Sequence, residues 1–398
     1  MKYDFDTILD RKGKDALAVD VIPIKGVVPD KGFSSIPMWV ADMSFKTAPS
    51  VIKALNDRIT HPNFGYYYLT DEYYESILNW QSKRNGITDI TKENIGYENG
   101  VLGGLCSALL SLTEPGEAVL IHSPVYVGFV HTLECLGRKI VYSPLKPDNN
   151  GIWRMDYEHM DAAIKDNDIH FCIFCSPHNP CGRVWERKEI EKAMQVYADN
   201  DCIVFSDEIW SDLIMPGHKH IPTASISEDA KKRTVALYSP SKTFSIAGLI
   251  GSYHIIYDEG LKAKIRHQSQ MSGYNSSSVL SMHALIGAYS NDGADWVQEL
   301  IGVLHRNLMY VKDFMESRFY GVSMMMPEGT YMLFANCRKW CDLKGITVEE
   351  LVKRGVRAGV IWQYGEAFVD TDCIRMNTAL PFSLIKEAMY RLEKYVFV

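Results

Sequence analysis

Six short apolar runs punctuate the chain between residues 95 and 260: Ala118–Pro124, Lys139–Pro144, Phe171–Ser176, Cys202–Asp207, Thr234–Ser239 and Ser252–Tyr257. A strand with one wet face alternates apolar and polar residues. Near-continuous apolar runs instead mark strands covered on both sides. Between several of them the period lengthens to that of a helix, as in Arg187–Ala198. Alternating strands and helices predict an α/β domain with a mostly parallel sheet. From Leu261 to Phe319 helical periodicity dominates, and a smaller α+β section follows from Gly321 to Val398. The first 45 or so residues carry few strong elements and are expected to pack on that second lobe. The expected division is a large domain over 46–285 and a small domain made of 1–45 and 286–398.

A chain of 398 residues is too long for one simple core, which agrees with two lobes around a cleft. The net charge of -7 lacks the basic field that nucleic-acid binders use, so DNA and RNA are not expected partners. The start, Met1-Lys2-Tyr3-Asp4-Phe5-Asp6, is charged and has no apolar core of a signal peptide. No run approaches the ~20 apolar residues of a membrane helix. These features, with nine scattered cysteines, point to reduced thiols in the cytoplasm.

Cys172 and Cys175 form a C-x-x-C, a spacing that zinc and redox sites share. Both lie in one predicted strand, where residues three apart face opposite ways, so the thiols should diverge. Cys337 and Cys341 have no second ligand pair nearby, and His218 and His220 flank a lysine beyond a Pro-Gly turn and are expected at the surface. No structural metal is expected.

In open α/β sheets, ligands bind beyond the carboxyl ends of the strands. Four runs end in groups that suit one cofactor: Tyr126, Asn179-Pro180, Asp207-Glu208 and Ser239-Pro-Ser-Lys242. Pyridoxal 5'-phosphate (PLP) needs a lysine to bind it covalently and a carboxylate to keep its ring nitrogen protonated. It also needs donors for its phenolic oxygen, an aromatic face, and backbone N–H groups at a helix start for its phosphate. Asn99-Gly-Val-Leu-Gly-Gly-Leu105, a glycine-rich turn running into an apolar helix, meets the last need.

These motifs resemble the class I/II PLP-dependent aminotransferase superfamily over Pro37 to Pro381. Ser239–Leu249 looks like its lysine signature, and Ser176-Pro-His-Asn-Pro-Cys-Gly182 is similar to its Asn-Pro-x-Gly motif. Asp207-Glu-Ile-Trp210 matches the Asp-Glu-x-Tyr element, and Ile374–Ala379 looks like the segment with the carboxylate-binding arginine. The resemblance implies the aspartate-aminotransferase fold and a set of roles. Lys242 binds PLP and shuttles protons, Asp207 pairs with the ring nitrogen and Asn179 donates to the phenolic oxygen. Tyr126 stacks on the ring and acts in catalysis beside Lys242. Val101 and Leu102 give amides, and Ser239 its hydroxyl, to the phosphate. Arg375 binds the substrate carboxylate. Tyr66 reaches the neighbouring subunit's site in a homodimer. Two positions depart from the pattern: Ile250 stands where many members carry a phosphate-binding arginine, and Trp210 replaces the usual tyrosine beside the cofactor.

Ile36-Pro-Met-Trp-Val-Ala-Asp-Met43 is similar to the N-terminal signature of the C–S β-lyase branch, which includes cystathionine β-lyases, and implies that Ala41 lies against the substrate. The reading of the segment from its residues alone is an apolar stretch packed over the cleft mouth. The expected reaction is α,β-elimination from cystathionine or related cysteine S-conjugates, giving thiol, pyruvate and ammonia. An aminotransferase would use nearly the same residues, and a non-catalytic regulatory protein on this scaffold is the third reading.

Overall fold

A computed structural model describes residues 2–273 and 276–398. Its centre is a seven-stranded sheet of Ile95–Glu98 (β1), Ala118–Ser123 (β2), Lys139–Pro144 (β3), Phe171–Cys175 (β4), Ile203–Asp207 (β5), Thr234–Tyr238 (β6) and Ser252–Ile255 (β7). The strand order is β1-β7-β6-β5-β4-β2-β3. β2 to β6 pair in parallel, whereas β7 runs antiparallel to both β1 and β6. All six apolar runs are strands here. β1 has no such run, and the sequence pattern does not single it out.

β2, β4 and β6 are buried along their whole length, as continuous apolar runs require. Alternate residues feed two cores. Leu120, Cys172, Phe174 and Val204 pack on one face with the helices Tyr157–Asp166 and Arg187–Asp199. Val119, Ile121, Cys175, Phe205 and Leu237 pack on the other with the helices Gly100–Leu112 and Val127–Cys135. Cys172 and Cys175 thus diverge to opposite faces, as the strand period dictates.

Beyond the sheet come the helices Glu259–Ser272, Val279–Ala288 and Asn291–Arg318. The C-terminal section holds a three-stranded antiparallel sheet of Met332–Asn336 (β8), Gln363–Tyr364 (β9) and Cys373–Asn377 (β10), in the order β8-β10-β9. The N-terminal segment runs along this section: Ile36–Pro37 pairs in parallel with Val360–Ile361, and Arg391 Nη1 donates to Ser34 O at 2.6 Å.

One placement differs from expectation. His218 is exposed, but His220 is 4% exposed, with Nε2 2.7 Å from Glu208 Oε2. Tyr238 OH, Ser206 Oγ and the Thr223 amide also donate to this fully buried carboxylate. A buried anion demands partners. That need draws His220 inward, and the Pro-Gly turn before it gives no hint of it.

Candidate active site

The carboxyl ends of β2, β4, β5 and β6 open onto a cavity of about 310 Å³. Asp207, the last residue of β5, lines it and is 4% exposed. Its carboxylate accepts from the Ile209 amide at 3.1 Å, and among the described residues it meets no lysine or arginine in an ion pair. Burial therefore pushes its pKa up to about 7, with Glu208 adding to the rise. Lys242, in the loop after β6, faces the same space, and its Nζ donates to Ala41 O at 2.9 Å. Burial, helped by Arg375, brings the Lys242 pKa down to about 8, while Asp42 and Asp207 oppose the fall.

Asn179 and Tyr126 complete the walls. Arg375 Nη1 donates to Asn179 Oδ1 at 3.1 Å, which leaves the Asn179 amide NH2 for the cavity. Tyr126 ends the β2 loop, sits edge-to-face with Phe129 at 5.4 Å, and has its phenol pKa raised by burial. Gly128 makes room for it, since a Cβ there would lie 2.5 Å from Tyr126 Cε1. At the floor, Gly100 turns the chain at φ +77 into the helix Gly100–Leu112, whose N-cap Asn99 gives no side-chain cap. The first-turn amides, including those of Val101 and Leu102, are thereby left for a ligand.

Arg375 lies behind Asn179 on β10 and is 3% exposed. Nη2 donates to Trp39 O at 3.0 Å and to Gln363 Oε1 at 2.8 Å, and Nε is buried without a partner. No carboxylate of the described residues pairs with it, and its guanidinium carbon stands 4.3 Å from the Phe368 ring centroid. Burial lowers its pKa to about 10. It remains a cation awaiting an anion.

Of the remaining expected residues, Ser239 is the one placed differently. Ser239 does not line the cavity; its hydroxyl donates to Gly251 O at 2.5 Å and accepts from the Ser241 amide at 3.1 Å. Ser241 lines the cavity instead, a residue passed over although it stands beside Lys242. Trp210 is 2% exposed, lines the cavity, and packs edge-on against Tyr331 at 4.8 Å. Ile250 lines the floor, so no arginine is supplied there. Tyr66 is fully exposed and is not among the residues that line its own chain's cavity. Gln363 and Asn377 were missed as well. Gln363 is the cross-strand partner of Arg375 and carries no local signal. Asn377 does carry one, lying two residues past Arg375 on the same strand face.

This donor set fits PLP. A buried carboxylate without an ion-pair partner suits a protonated ring nitrogen, and a free amide NH2 suits a phenolic oxygen. Uncapped helix amides suit a phosphate, and a buried arginine with an orphaned Nε suits a substrate carboxylate.

Known proteins place the chain in the same company. It is 33% identical to the cystathionine beta-lyase PatB of Bacillus subtilis (strain 168), over 90% of this chain and 92% of that one. The structure of cystalysin from Treponema denticola, which contains a pyridoxal 5'-phosphate cofactor, superposes with a TM-score of 0.89 at 30% identity, covering 99% and 98% of the two chains. The PLP-bound C–S lyase from Staphylococcus hominis superposes with a TM-score of 0.87 at 30% identity, covering 98% of each. The family model described as aminotransferase class I and II matches residues 36–392. The chain belongs to the class I and II aminotransferase family and uses PLP as its cofactor.

Proposed function

We propose that this protein is a PLP-dependent C–S β-lyase, cleaving cystathionine or a related cysteine S-conjugate to a thiol, pyruvate and ammonia. The family alone spans several reactions, so fold does not choose among them. The observation that carries the choice is the Ile36–Met43 segment. Its carbonyls at Trp39 and Ala41 bind Arg375 and Lys242, which makes a lyase-like signature part of the site rather than distant packing. Likeness to PatB and to the S. hominis C–S lyase supports the same reading.

When bound, PLP supplies an electron sink for the charge left on the substrate's α-carbon. Asp207 sustains that sink by holding a proton on the ring nitrogen. Arg375 fixes the substrate carboxylate by paired charge-assisted hydrogen bonds. Lys242 takes the α-proton as a neutral amine, a state its lowered pKa of about 8 makes accessible near neutral pH. Asn179 and Tyr126 hold the ring's position, and Ala41 O steadies the Lys242 nitrogen. The amides of Val101 and Leu102 with the Ser241 hydroxyl take the phosphate, in place of the arginine that Ile250 replaces. Ser239 buttresses that loop. Trp210 walls the substrate side, and its N–H donates but does not act as a base.

Tyr66 completes the site of a second subunit in a homodimer. Its full exposure, with Phe64 and Tyr68 also exposed on the same loop, supports this assignment. Nine free cysteines support a cytoplasmic location. Among the described residues no helix is long and apolar enough to cross a membrane.

The test is an assay of purified, PLP-loaded protein with L-cystathionine and no keto acid. Equal release of pyruvate and thiol over many turnovers is expected. Turnover that instead requires a keto acid would reassign the protein as an aminotransferase.

A further inference from the structure

Between Trp39 and Met43 the N-terminal segment crosses the cleft with its backbone turned toward the site. Trp39 O accepts from Arg375 and Ala41 O from Lys242. Asn377 Nδ2 holds the intervening carbonyls of Val40 at 2.8 Å and Asp42 at 2.7 Å. The Asp42 side chain makes the other fastening. One of its oxygens pairs with Arg11, which also donates to Met43 O at 3.0 Å. The other accepts from Ser245 Oγ at 3.2 Å. Ser245 lies three residues past Lys242 and sits at φ +55, a left-handed conformation uncommon for a residue with a Cβ. Asp42 therefore grips the turn that carries the lysine.

We propose that Asp42 is a positioning residue for Lys242: it ties the lysine's turn to the N-terminal segment and sets a negative charge beside the lysine nitrogen. The charged groups whose fields reach the Lys242 nitrogen are Asp42 from that segment, Asp207 from β5 and Arg375 from β10, and the Tyr126 phenol lines the same cavity. Asp207 is committed to the cofactor ring, so Asp42 is the anion left to balance Arg375 at the lysine. Among the carboxylates acting on Lys242, Asp42 has the larger effect in holding its pKa up. Arg11 is the counter-ion that tempers it. No other described residue joins the first 45 residues to the lysine turn by a carboxylate.

The inference rests on Lys242 carrying PLP, and the experiment separates the two. The full-length protein is loaded with PLP, and the visible absorbance of the cofactor–lysine linkage is titrated against pH for wild type, Asp42→Asn, Asp42→Glu and Arg11→Gln. Asp42→Asn should lower the midpoint by ~0.5 to 1 unit, because an anion near the nitrogen favours its protonated form. Asp42→Glu should restore most of that shift. Arg11→Gln, which removes the counter-ion but keeps the anion, should raise the midpoint. A segment that merely loosens would move Asp42→Asn and Arg11→Gln in the same direction, and that result, or an unmoved midpoint in Asp42→Asn, overturns the role. If Asp42→Asn prevents folding, Arg11→Gln decides alone: a raised midpoint supports the role, and a lowered or unmoved one overturns it. Wild-type protein without any visible band would instead overturn the PLP assignment itself.

Discussion

Asp207→Asn should make the cofactor-free protein more stable while it disables the enzyme. In the free protein the Asp207 carboxyl is buried without an ion-pair partner, and burial outweighs the opposing charge of Lys242 across the cavity, so its pKa rises from 3.8 to about 7. A carboxyl that is harder to ionise folded than unfolded destabilises the fold as pH rises. The penalty is absent below the unfolded pKa, grows between about pH 4 and pH 7, and is complete above that. At about 1.4 kcal/mol per unit, a rise of about 3 units is worth roughly 4 kcal/mol at pH 8. At pH 5 only about 1 to 2 kcal/mol of it is present. Asparagine is neutral throughout and keeps the shape. Its gain over wild type should therefore grow by about 2 to 3 kcal/mol between pH 5 and pH 8; what the amide loses by burial is the same at both pH values and cancels from that difference. The assay is urea unfolding of both cofactor-free proteins at the two pH values. The same variant, loaded with PLP, should lose most of its turnover, since an amide does not hold the ring nitrogen protonated. A stability difference that is independent of pH, or that shrinks toward pH 8, would refute the reasoning.

Three further outcomes follow from the geometry. Arg375→Gln removes the cation proposed to bind the substrate carboxylate, so kcat/KM should fall about 100- to 1,000-fold, mainly through KM; steady-state kinetics check this, and an unchanged KM would count against the role. Gly128→Ala puts a Cβ 2.5 Å from Tyr126 Cε1 and 2.9 Å from Leu102 Cδ1, so it should displace the ring and weaken PLP binding by about tenfold, as seen by fluorescence titration. Mixing the separately inactive Lys242→Ala and Tyr66→Ala proteins should restore up to about a quarter of wild-type activity, because a hybrid dimer rebuilds one intact site; no recovery after subunit exchange would remove Tyr66 from the partner's site.

Much of this was legible because burial writes itself into a strand. The runs ending at Asp207 and Tyr238 are apolar on both faces, and the polar residues that break them sit where the sheet ends and the ligand begins. Lys242, Asp207, Asn179 and Tyr126 were found this way, and the structure brings all four to one cavity. What stayed hidden depends on contacts between distant residues. His220 is buried because Glu208 needs a donor, and neither residue's neighbours in sequence reveal it. Ser239 and Ser241 are two residues apart, and a hydrogen bond to Gly251 decides which of them turns away from the cavity. The grip of Asn377 on Val40 and Asp42 spans more than 330 residues of chain. β1 escaped notice because Ile95-Gly-Tyr-Glu98 includes a glycine and a buried glutamate, which pairs with His254 at 2.9 Å rather than with an apolar core.

The central claim is that one lysine, Lys242, carries the cofactor and the chemistry. The most direct test is to reduce the PLP-loaded protein with borohydride, digest it, and locate the pyridoxyl group by mass spectrometry. The account predicts a single modified residue, Lys242, with the label lost when substrate is added just before reduction. A label on any other lysine, or a Lys242→Ala protein that still traps PLP and turns over, would contradict it.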